Sequence, residues 1–402
     1  MFGWLRKKQK IKDKEYIKRY FKPIRIRKDK ETLIYLEWPF GNYVFEEMEA
    51  RLFETGFKMA KFSLFEALGV KDRDELKVIY ENNRERFYID LAEYVKKFES
   101  AACFLVTHDW FCLHRNAVKI FRYLKVPVYC VLHEGVFQSL DKYYDGKIPI
   151  ADKTLVWGLL HRDIFVARGL KPKQIAEVGS ITLNKYKSFK PELGFEAFFD
   201  RLKLDKNKKT VVYCCQLCDN QWGDQEACLQ VQQQQIEDII CICRKYGYNC
   251  IIRNSPAVPD KVIPREFRNK FIGIEDIAFD GEDTKNVNVS EYAVKSGDAV
   301  YYSNLLIGMN TTMQLEASIL NRPAVVVKYF PFEAKWHDEL GLPAALDKAQ
   351  LEDLIVKNID KKESLISADK MQPFCNNYGF SRDLSFDPVK NIFSFIEKEL
   401  RR

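Results

Sequence analysis

Short, continuously apolar segments alternate along most of this chain with longer segments whose apolar residues recur every three to four positions. Residues 101–107 and 126–132 are apolar throughout, as expected of strands buried on both faces, and the intervening residues 112–124 have helical spacing. Buried strands that alternate with helices in this way are typical of a parallel α/β sheet.

The same reasoning predicts the remaining elements. In the first half, strands are predicted over residues 32–38, 57–64, 154–157 and 175–178, and helices over 43–55, 83–97 and 160–168. In the second half, strands are predicted over residues 210–215, 249–252, 271–274, 304–307 and 324–327, and helices over 226–246, 312–320, 350–359 and 388–400.

A polar stretch, residues 184–209, interrupts the alternation, which predicts two domains in tandem. We expect an α/β protein of two Rossmann-like, doubly wound parallel-sheet domains, with the active site in the cleft between them. The predicted organisation is an N-terminal arm (1–30), a first domain that holds an acceptor (31–183), a linker (184–209), a second domain that binds a nucleotide donor (210–375) and a C-terminal segment that packs back on the first domain (376–402).

Composition excludes several classes of protein. Of the 402 residues, 47% are hydrophobic and 14% aromatic, which is too apolar for a disordered chain. No apolar run approaches the roughly 18–20 residues that span a membrane, and Met1–Leu5 leads into a basic run without the apolar region of a secretory signal. We therefore expect a cytoplasmic protein, with peripheral attachment to the inner membrane left open.

Positive charge is concentrated at the N-terminus. Residues 1–30 hold 13 Lys and Arg against three acids, a net charge of +10, so the total of +7 leaves −3 for residues 31–402. Aromatic and aliphatic residues are interleaved with this charge, as in segments that lie on an anionic leaflet. A solvated, disordered terminus is the alternative. The remainder shows no basic stripe, which argues against a nucleic-acid partner.

The eleven cysteines lie mostly in apolar runs, as expected of reduced core residues. Cys214, Cys215 and Cys218 cluster, but no second Cys or His pair stands at ligand spacing. We therefore expect no metal and no cofactor.

Two predicted strand ends in the first half carry candidate catalytic groups. His108 and Asp109 follow one strand, and His133 and Glu134 follow the next. A carboxylate, or a histidine that is tuned by one, can take a proton from an attacking hydroxyl. Ordinary backbone hydrogen bonds at strand ends are the alternative interpretation.

Two further strand ends in the second half carry candidate donor-binding groups. A strand runs into a helix through a turn with free backbone N–H groups, which suits a diphosphate, and a carboxylate one turn further on can accept from ribose hydroxyls. The residues are Asn310, Thr311, Thr312 and Glu316. Arg253, followed by Asn254 and Ser255, can pair with a phosphate. Helix capping and an ordinary strand-end arginine are the alternatives, and the acidic run that begins at Asp280 is interpreted as a solvated loop.

These segments resemble bacterial surface-polysaccharide enzymes of the GT-B architecture, a group with nucleotide-sugar glycosyltransferases, CDP-glycerol glycerophosphotransferases and UDP-N-acetylglucosamine 2-epimerases. The resemblance covers roughly residues 100–330 and is carried by residues 107–135, 151–158, 178–180 and 303–327, the last with Thr311-Thr312, Leu315-Glu316-Ala317 and Asn321-Arg322-Pro323. Many relatives have a histidine that contacts phosphate where this chain reads Arg253-Asn254-Ser255, and the epimerases have small glycines where it reads Asn310-Thr311-Thr312.

The resemblance implies a metal-independent glycosyltransferase. Its partners would be a nucleotide-sugar donor, held by Arg253, Thr311, Thr312 and Glu316, and a glycan or lipid-linked acceptor of a capsule, lipopolysaccharide or glycoprotein. Glu134 or Asp109 would be the base. The alternatives are a nucleotide-sugar 2-epimerase or hydrolase, a glycerophosphotransferase, and a binding subunit that retains only nucleotide affinity.

Overall fold

The computed structural model describes residues 13–38, 41–133, 149–218, 224–254, 262–283, 290–291, 293–332, 335–381, 383 and 385–401. The chain divides into two compact units. The first comprises Met1–Val136, Leu140–Asn184 and Asn376–Arg402, and the second comprises Phe137–Ser139 and Lys185–Cys375.

The first unit is built on a six-stranded, wholly parallel sheet in the order β2-β1-β3-β4-β5-β6. The strands are β1 (Arg27–Glu37), β2 (Lys58–Ser63), β3 (Ser100–Val106), β4 (Val128–Val131), β5 (Lys153–Val156) and β6 (Ile175–Glu177). Strands β3 and β4 are buried almost throughout, as their apolar sequences predict.

Helices cover both faces of this sheet. They are α1 (13–21), α2 (Asn42–Glu49), α3 (Leu64–Leu68), α4 (Arg73–Asn82), α5 (Arg84–Val95), α6 (Cys112–Tyr123), α7 (Leu159–Ala167) and α8 (Ile181–Asn184). Helices α3 and α4 were not predicted. Helix α4 begins after Asp72, whose carboxylate caps it by accepting the backbone N–H groups of Asp74 and Glu75.

The N-terminal basic segment is folded where the structure describes it, rather than being a separate arm. Ile17, Phe21 and Ile24 are buried in the core of the first unit, and β1 already begins at Arg27. Ile17 and Phe21 are four residues apart and lie on one face of α1, and Ile24 follows the end of that helix. These three side chains are therefore not available to a membrane. Residues 1–12 lie outside the described residues.

The second unit has its own six-stranded parallel sheet, in the order β14-β13-β12-β7-β8-β9, and an antiparallel pair of two-residue strands. The sheet strands are β7 (Thr210–Cys214), β8 (Asn249–Arg253), β9 (Ile277–Asp280), β12 (Leu305–Gly308), β13 (Ala324–Val327) and β14 (Ala344–Ala345), and the pair is β10 (Glu282–Asp283) with β11 (Ser290–Glu291). The predicted pair of Rossmann-like α/β domains is thus confirmed.

The helices of the second half of the chain include one in the predicted linker. They are α9 (Phe195–Leu202), α10 (Gln225–Tyr246), α11 (Arg265–Asn269), α12 (Ser296–Tyr302), α13 (Met313–Ile319), α14 (Lys335–Leu340), α15 (Lys348–Asn358), α16 (Ala368–Tyr378) and α17 (Pro388–Leu400). The strand predicted over residues 271–274 is wrong, because this stretch is a turn in which Gly273 adopts a φ of +80°. The strand lies after it, at β9.

The C-terminal segment is part of the first unit. Asn391 Nδ2 donates to the carbonyl of Val178 at 3.1 Å, and the ring of Phe393 stacks on that of Phe57 at 5.8 Å. Gly379 adopts a φ of +58°, and a Cβ there would lie 1.9 Å from the carbonyl oxygen of Trp157. Only glycine fits this close approach.

Candidate active site

Both sheets contain a topological switch point, where the strand order reverses. In the first sheet it lies between β1 and β3, and in the second between β7 and β12. Doubly wound folds bind ligands outside the carboxyl ends of the strands at such points.

Next to the first switch point, the ends of β3 and β4 bring together His108 and His133. Their ring centroids are 5.1 Å apart, and both side chains are buried. The two strands pair in register directly before these residues. The strand-end positions in the sequence thus correspond to neighbouring positions at one edge of the sheet.

His133 is held in one orientation from both sides. Its Nδ1 lies 3.2 Å from the carbonyl oxygen of Thr107, which can only accept, so Nδ1 carries a proton. The Tyr43 hydroxyl donates to the backbone carbonyl of His133 at 2.6 Å. Gly41, with a φ of +92°, adjoins the ring, and a Cβ there would lie 2.8 Å from His133 Cγ. Sequence reasoning missed Gly41 and Tyr43.

His108 lies in a stack of rings. It contacts Trp110 on one side, with centroids 4.3 Å apart, and His114 on the other, at 3.9 Å. Burial, together with His114 and His133, lowers the pKa of His108, and burial lowers that of His114 to about 3. Within the described residues, both ring nitrogens of His114 and Nε2 of His108 lack a hydrogen-bond partner. These two imidazoles are neutral at pH 7.

Asp109 is buried and turned toward the segment before β5. One carboxylate oxygen accepts the backbone N–H groups of Ile150 at 2.5 Å and Ala151 at 3.1 Å. Arg115 donates to the backbone carbonyl of Asp109 at 3.1 Å. This carboxylate therefore ties the chain that enters β5 to the end of β3. Glu134, the other candidate base, lies outside the described residues.

At the second switch point, a buried glutamine organises the turn between β12 and α13. Gln314 Nε2 donates to the carbonyls of Gly308 and Val325, both at 3.1 Å. Its Oε1 accepts from the backbone N–H of Thr311 at 3.3 Å and from Nε2 of His337 at 3.1 Å. The half-buried residues Asn310, Thr311 and Thr312 are thus presented on a fixed turn.

Glu316 lies one turn further along α13 and is 5% exposed. The Tyr186 hydroxyl donates to its carboxylate at 2.5 Å. Burial raises the pKa of Glu316, and the hydrogen bond from Tyr186 and the charge of Lys185 oppose that shift. A carboxylate in such surroundings favours further donors, such as hydroxyl groups.

Arg253 is buried in an ion pair with Asp280 at the end of β9. Its guanidinium also donates to the carbonyl of Val294 and to Ser296 Oγ, both at 3.0 Å. Burial raises the pKa of Asp280, while Arg253 opposes this. Asp280 is therefore not in a solvated loop as predicted, because its carboxylate joins β8, β9 and the segment before α12.

Asn254 belongs to the same junction. Its backbone N–H donates to the carbonyl of Asp280 at 2.8 Å, and its side chain lies 3.3 Å from the carbonyl of Gly281. Ser255 lies outside the described residues.

The described residues offer no group of three or more His, Cys, Asp or Glu that could hold a metal ion. In the same part of the chain no helix is both long and apolar enough to cross a bilayer. The cysteines described there are free thiols.

Comparisons with known proteins find structural likeness only. No family profile matches the sequence, and no curated protein matches it. A putative UDP-N-acetylglucosamine 2-epimerase from Listeria monocytogenes is similar over 92% of this chain and 97% of its own, with a TM-score of 0.60 and 15% identity.

Two further solved structures extend this likeness. The UDP-GlcNAc 2-epimerase from Neisseria meningitidis, bound to UDP-GlcNAc, is similar over 93% of this chain and 100% of its own, with a TM-score of 0.57 and 11% identity. The wall teichoic acid polymerase TagF is similar over 97% of this chain and 94% of its own, with a TM-score of 0.52 and 13% identity. The resemblance seen in the sequence is confirmed at the level of the fold, and the chain has the GT-B-type fold of two Rossmann-like domains.

Proposed function

We propose that this protein is an enzyme that binds a nucleotide-activated sugar and transfers the sugar to an acceptor of a bacterial surface glycan. The observation that carries the proposal is Glu316, a buried carboxylate at the carboxyl edge of the second sheet, beside the turn of Asn310, Thr311 and Thr312. Such an edge is where doubly wound folds bind nucleotides. The likeness to structures with UDP-GlcNAc supports the same class of ligand.

In this proposal the second unit holds the donor. Glu316 accepts hydrogen bonds from the ribose hydroxyls, and the side chains of Asn310, Thr311 and Thr312 donate to the diphosphate together with the backbone N–H of Thr312. Arg253 and Asn254 have a positioning role, because their side chains already join β8 to β9. Ser255 is also proposed to contact the donor, and this role rests only on its position in the sequence.

The first unit holds the acceptor and the base. An acceptor hydroxyl attacks the anomeric carbon, the bond from that carbon to the diphosphate breaks, and the nucleoside diphosphate leaves with the bonding electrons. The hydroxyl proton passes to Glu134, which directly follows His133 in the sequence, and the ring of His133 contacts the acceptor. Asp109 and His108 are proposed to fix this edge rather than to move the proton, because Asp109 is bonded to Ile150 and Ala151.

A nucleotide-sugar 2-epimerase is the second candidate, and the likeness to two UDP-GlcNAc 2-epimerases favours it. Such an enzyme removes and returns the proton at C2 of the donor sugar and needs no acceptor. A glycerophosphotransferase is a third candidate, supported by the likeness to TagF.

Incubation of nucleotide sugars in D2O, followed by proton NMR, separates these candidates. A transferase releases nucleoside diphosphate only when an acceptor glycan is present and leaves C2 protonated. An epimerase exchanges the C2 proton for deuterium without acceptor. Turnover of CDP-glycerol but of no nucleotide sugar would establish the third candidate. The absence of turnover with every donor would contradict the proposal of an enzyme.

The proposal includes a peripheral location on an anionic leaflet. Its support is the net charge of +10 in residues 1–30. Ile17, Phe21 and Ile24 of that segment do not contribute, because they lie in the core.

A further inference from the structure

A groove of about 430 Å³ runs between α1 and α6 of the first unit. Helix α1 supplies Lys14, Ile17 and Lys18 to its lining. Helix α6 supplies the remaining lining residues, which are Arg115, Lys119 and Tyr123. Four of the six are basic and none is acidic, so the groove concentrates positive charge in an otherwise slightly acidic body.

The basic residues stand on fixed helical rows. Lys14 and Lys18 are four residues apart on α1, and Arg115 and Lys119 are four apart on α6, so each pair lies on one face of its helix. Their aliphatic stems cover the walls, while Ile17 is buried at the base.

Helix α1 is anchored to the domain and holds its lysines in place. Asp13 is buried, accepts from the Tyr80 hydroxyl at 3.2 Å and lies 3.6 Å from the guanidinium of Arg84. Phe21 is fully buried at the other end of the helix. The charged rows therefore belong to a folded surface.

The groups on α6 are also oriented. Arg115 donates to the backbone carbonyl of Asp109 at 3.1 Å, and Lys119 Nζ donates to Asn116 Oδ1 at 3.1 Å. An anion in the groove would meet donors from two helices.

We propose that this groove binds the phosphate headgroup of an anionic membrane lipid. Two features favour a lipid over a soluble phosphate. The basic sequence Arg6-Lys7-Lys8-Gln9-Lys10 directly precedes α1, so the positive charge continues along the chain as it would along a charged surface. The groove also combines long aliphatic walls with cationic heads, which suits an amphiphile. The inference rests on the proposed peripheral location and assigns its site.

The test is cosedimentation of the full-length protein with vesicles of phosphatidylcholine, alone or with phosphatidylglycerol, at low salt. Binding to the anionic vesicles should weaken about 25-fold in Lys14→Gln/Lys18→Gln, since each lysine near a charged surface is worth about fivefold in affinity. The matched control is Lys71→Gln/Lys77→Gln, which removes two exposed lysines of the same unit and should bind as the wild type does. Lys14→Arg/Lys18→Arg should retain binding, which separates charge from folding.

The outcomes distinguish this inference from the proposals on which it rests. If the wild type ignores anionic vesicles, the peripheral location itself is wrong, whatever the enzyme assay gives. If the wild type binds and Lys14→Gln/Lys18→Gln binds equally, the location stands and the groove is not the site. If inorganic phosphate raises the melting temperature of the wild type alone while both proteins bind vesicles equally, the ligand is a soluble phosphate and the lipid assignment is overturned.

Discussion

The imidazole rings of His108 and His114 stack on each other with their centroids 3.9 Å apart and their planes inclined by 30°. Trp38 packs against His114 in a T-shaped arrangement, with the ring centroids 4.5 Å apart. Burial comes first among the causes that lower the pKa of both histidines, and further positive charge nearby adds to it. The edge of the first sheet is thus lined by the neutral rings of His108 and His114, and the oriented ring of His133 lies next to that of His108.

This arrangement makes stability depend on pH. The pKa of His114 falls from 6.5 to about 3 on folding, so below pH 6.5 the unfolded chain binds a proton that the folded chain refuses. The free energy of unfolding should therefore fall as the pH drops from 6.5 toward 3. His114→Phe should remove about 2 kcal/mol of the loss between pH 6.5 and 5. Urea titrations at both pH values measure this, and parallel curves for the two proteins would contradict it.

Gly41 should tolerate no side chain. Alanine there would place a Cβ 2.8 Å from His133 Cγ at a φ of +92°. Gly69 is the matched control, because its φ is +64° and a Cβ would meet nothing within 4 Å. Gly69→Ala should cost about 1–2 kcal/mol for the left-handed backbone alone, and Gly41→Ala about 1–3 kcal/mol more for the clash. Equal losses in denaturant unfolding would show that the ring of His133 moves freely.

The ion pair of Arg253 with Asp280 should dominate the stability of the second unit. Arg253→Met would leave a buried carboxylate uncompensated, at a cost of about 3–5 kcal/mol. Arg253→Met/Asp280→Asn should cost less than the sum of the single changes, since the amide can still accept the Ala293 N–H. A variant that keeps its stability but loses nucleotide binding would assign the guanidinium to a phosphate instead.

Asp109→Asn should destabilise the first unit by about 1.5–3 kcal/mol, because the backbone N–H groups of Ile150 and Ala151 would lose a charged acceptor. Asp163→Asn is the control, since Asp163 forms an exposed ion pair that is worth little. In Asp109→Asn the melting temperature and the turnover rate should both fall. Full stability with abolished turnover would instead make Asp109 the base.

The fold could be predicted because strands of a parallel sheet are buried on both faces and are therefore apolar throughout. Residues 101–107 and 126–132 carry this signal, and they correspond to β3 and β4. The proximity of His108 and His133 followed from the same logic, since parallel strands end at one edge. The segment of α1 was misinterpreted because its high charge obscured the helical spacing of Ile17 and Phe21.

The partners of the site residues could not be predicted, because they are distant in sequence. Tyr186 bonds to Glu316 across 130 residues, and Tyr43 to His133 across 90. Asp280 was assigned to a solvated loop because its acidic neighbours suggested exposure, whereas β9 places it beside Arg253. Only the folded sheet brings these groups together.

The most direct test of the central claim is the change in melting temperature of the protein with UDP, CDP, GDP, CMP and their sugar or glycerol conjugates. A ligand that binds the folded state raises the melting temperature as its concentration exceeds its dissociation constant. We expect a rise with one nucleotide class, which Glu316→Gln reduces and the exposed control Glu339→Gln leaves unchanged. No rise with any of these ligands, or an equal rise in Glu316→Gln, would contradict a nucleotide site at the edge of the second sheet.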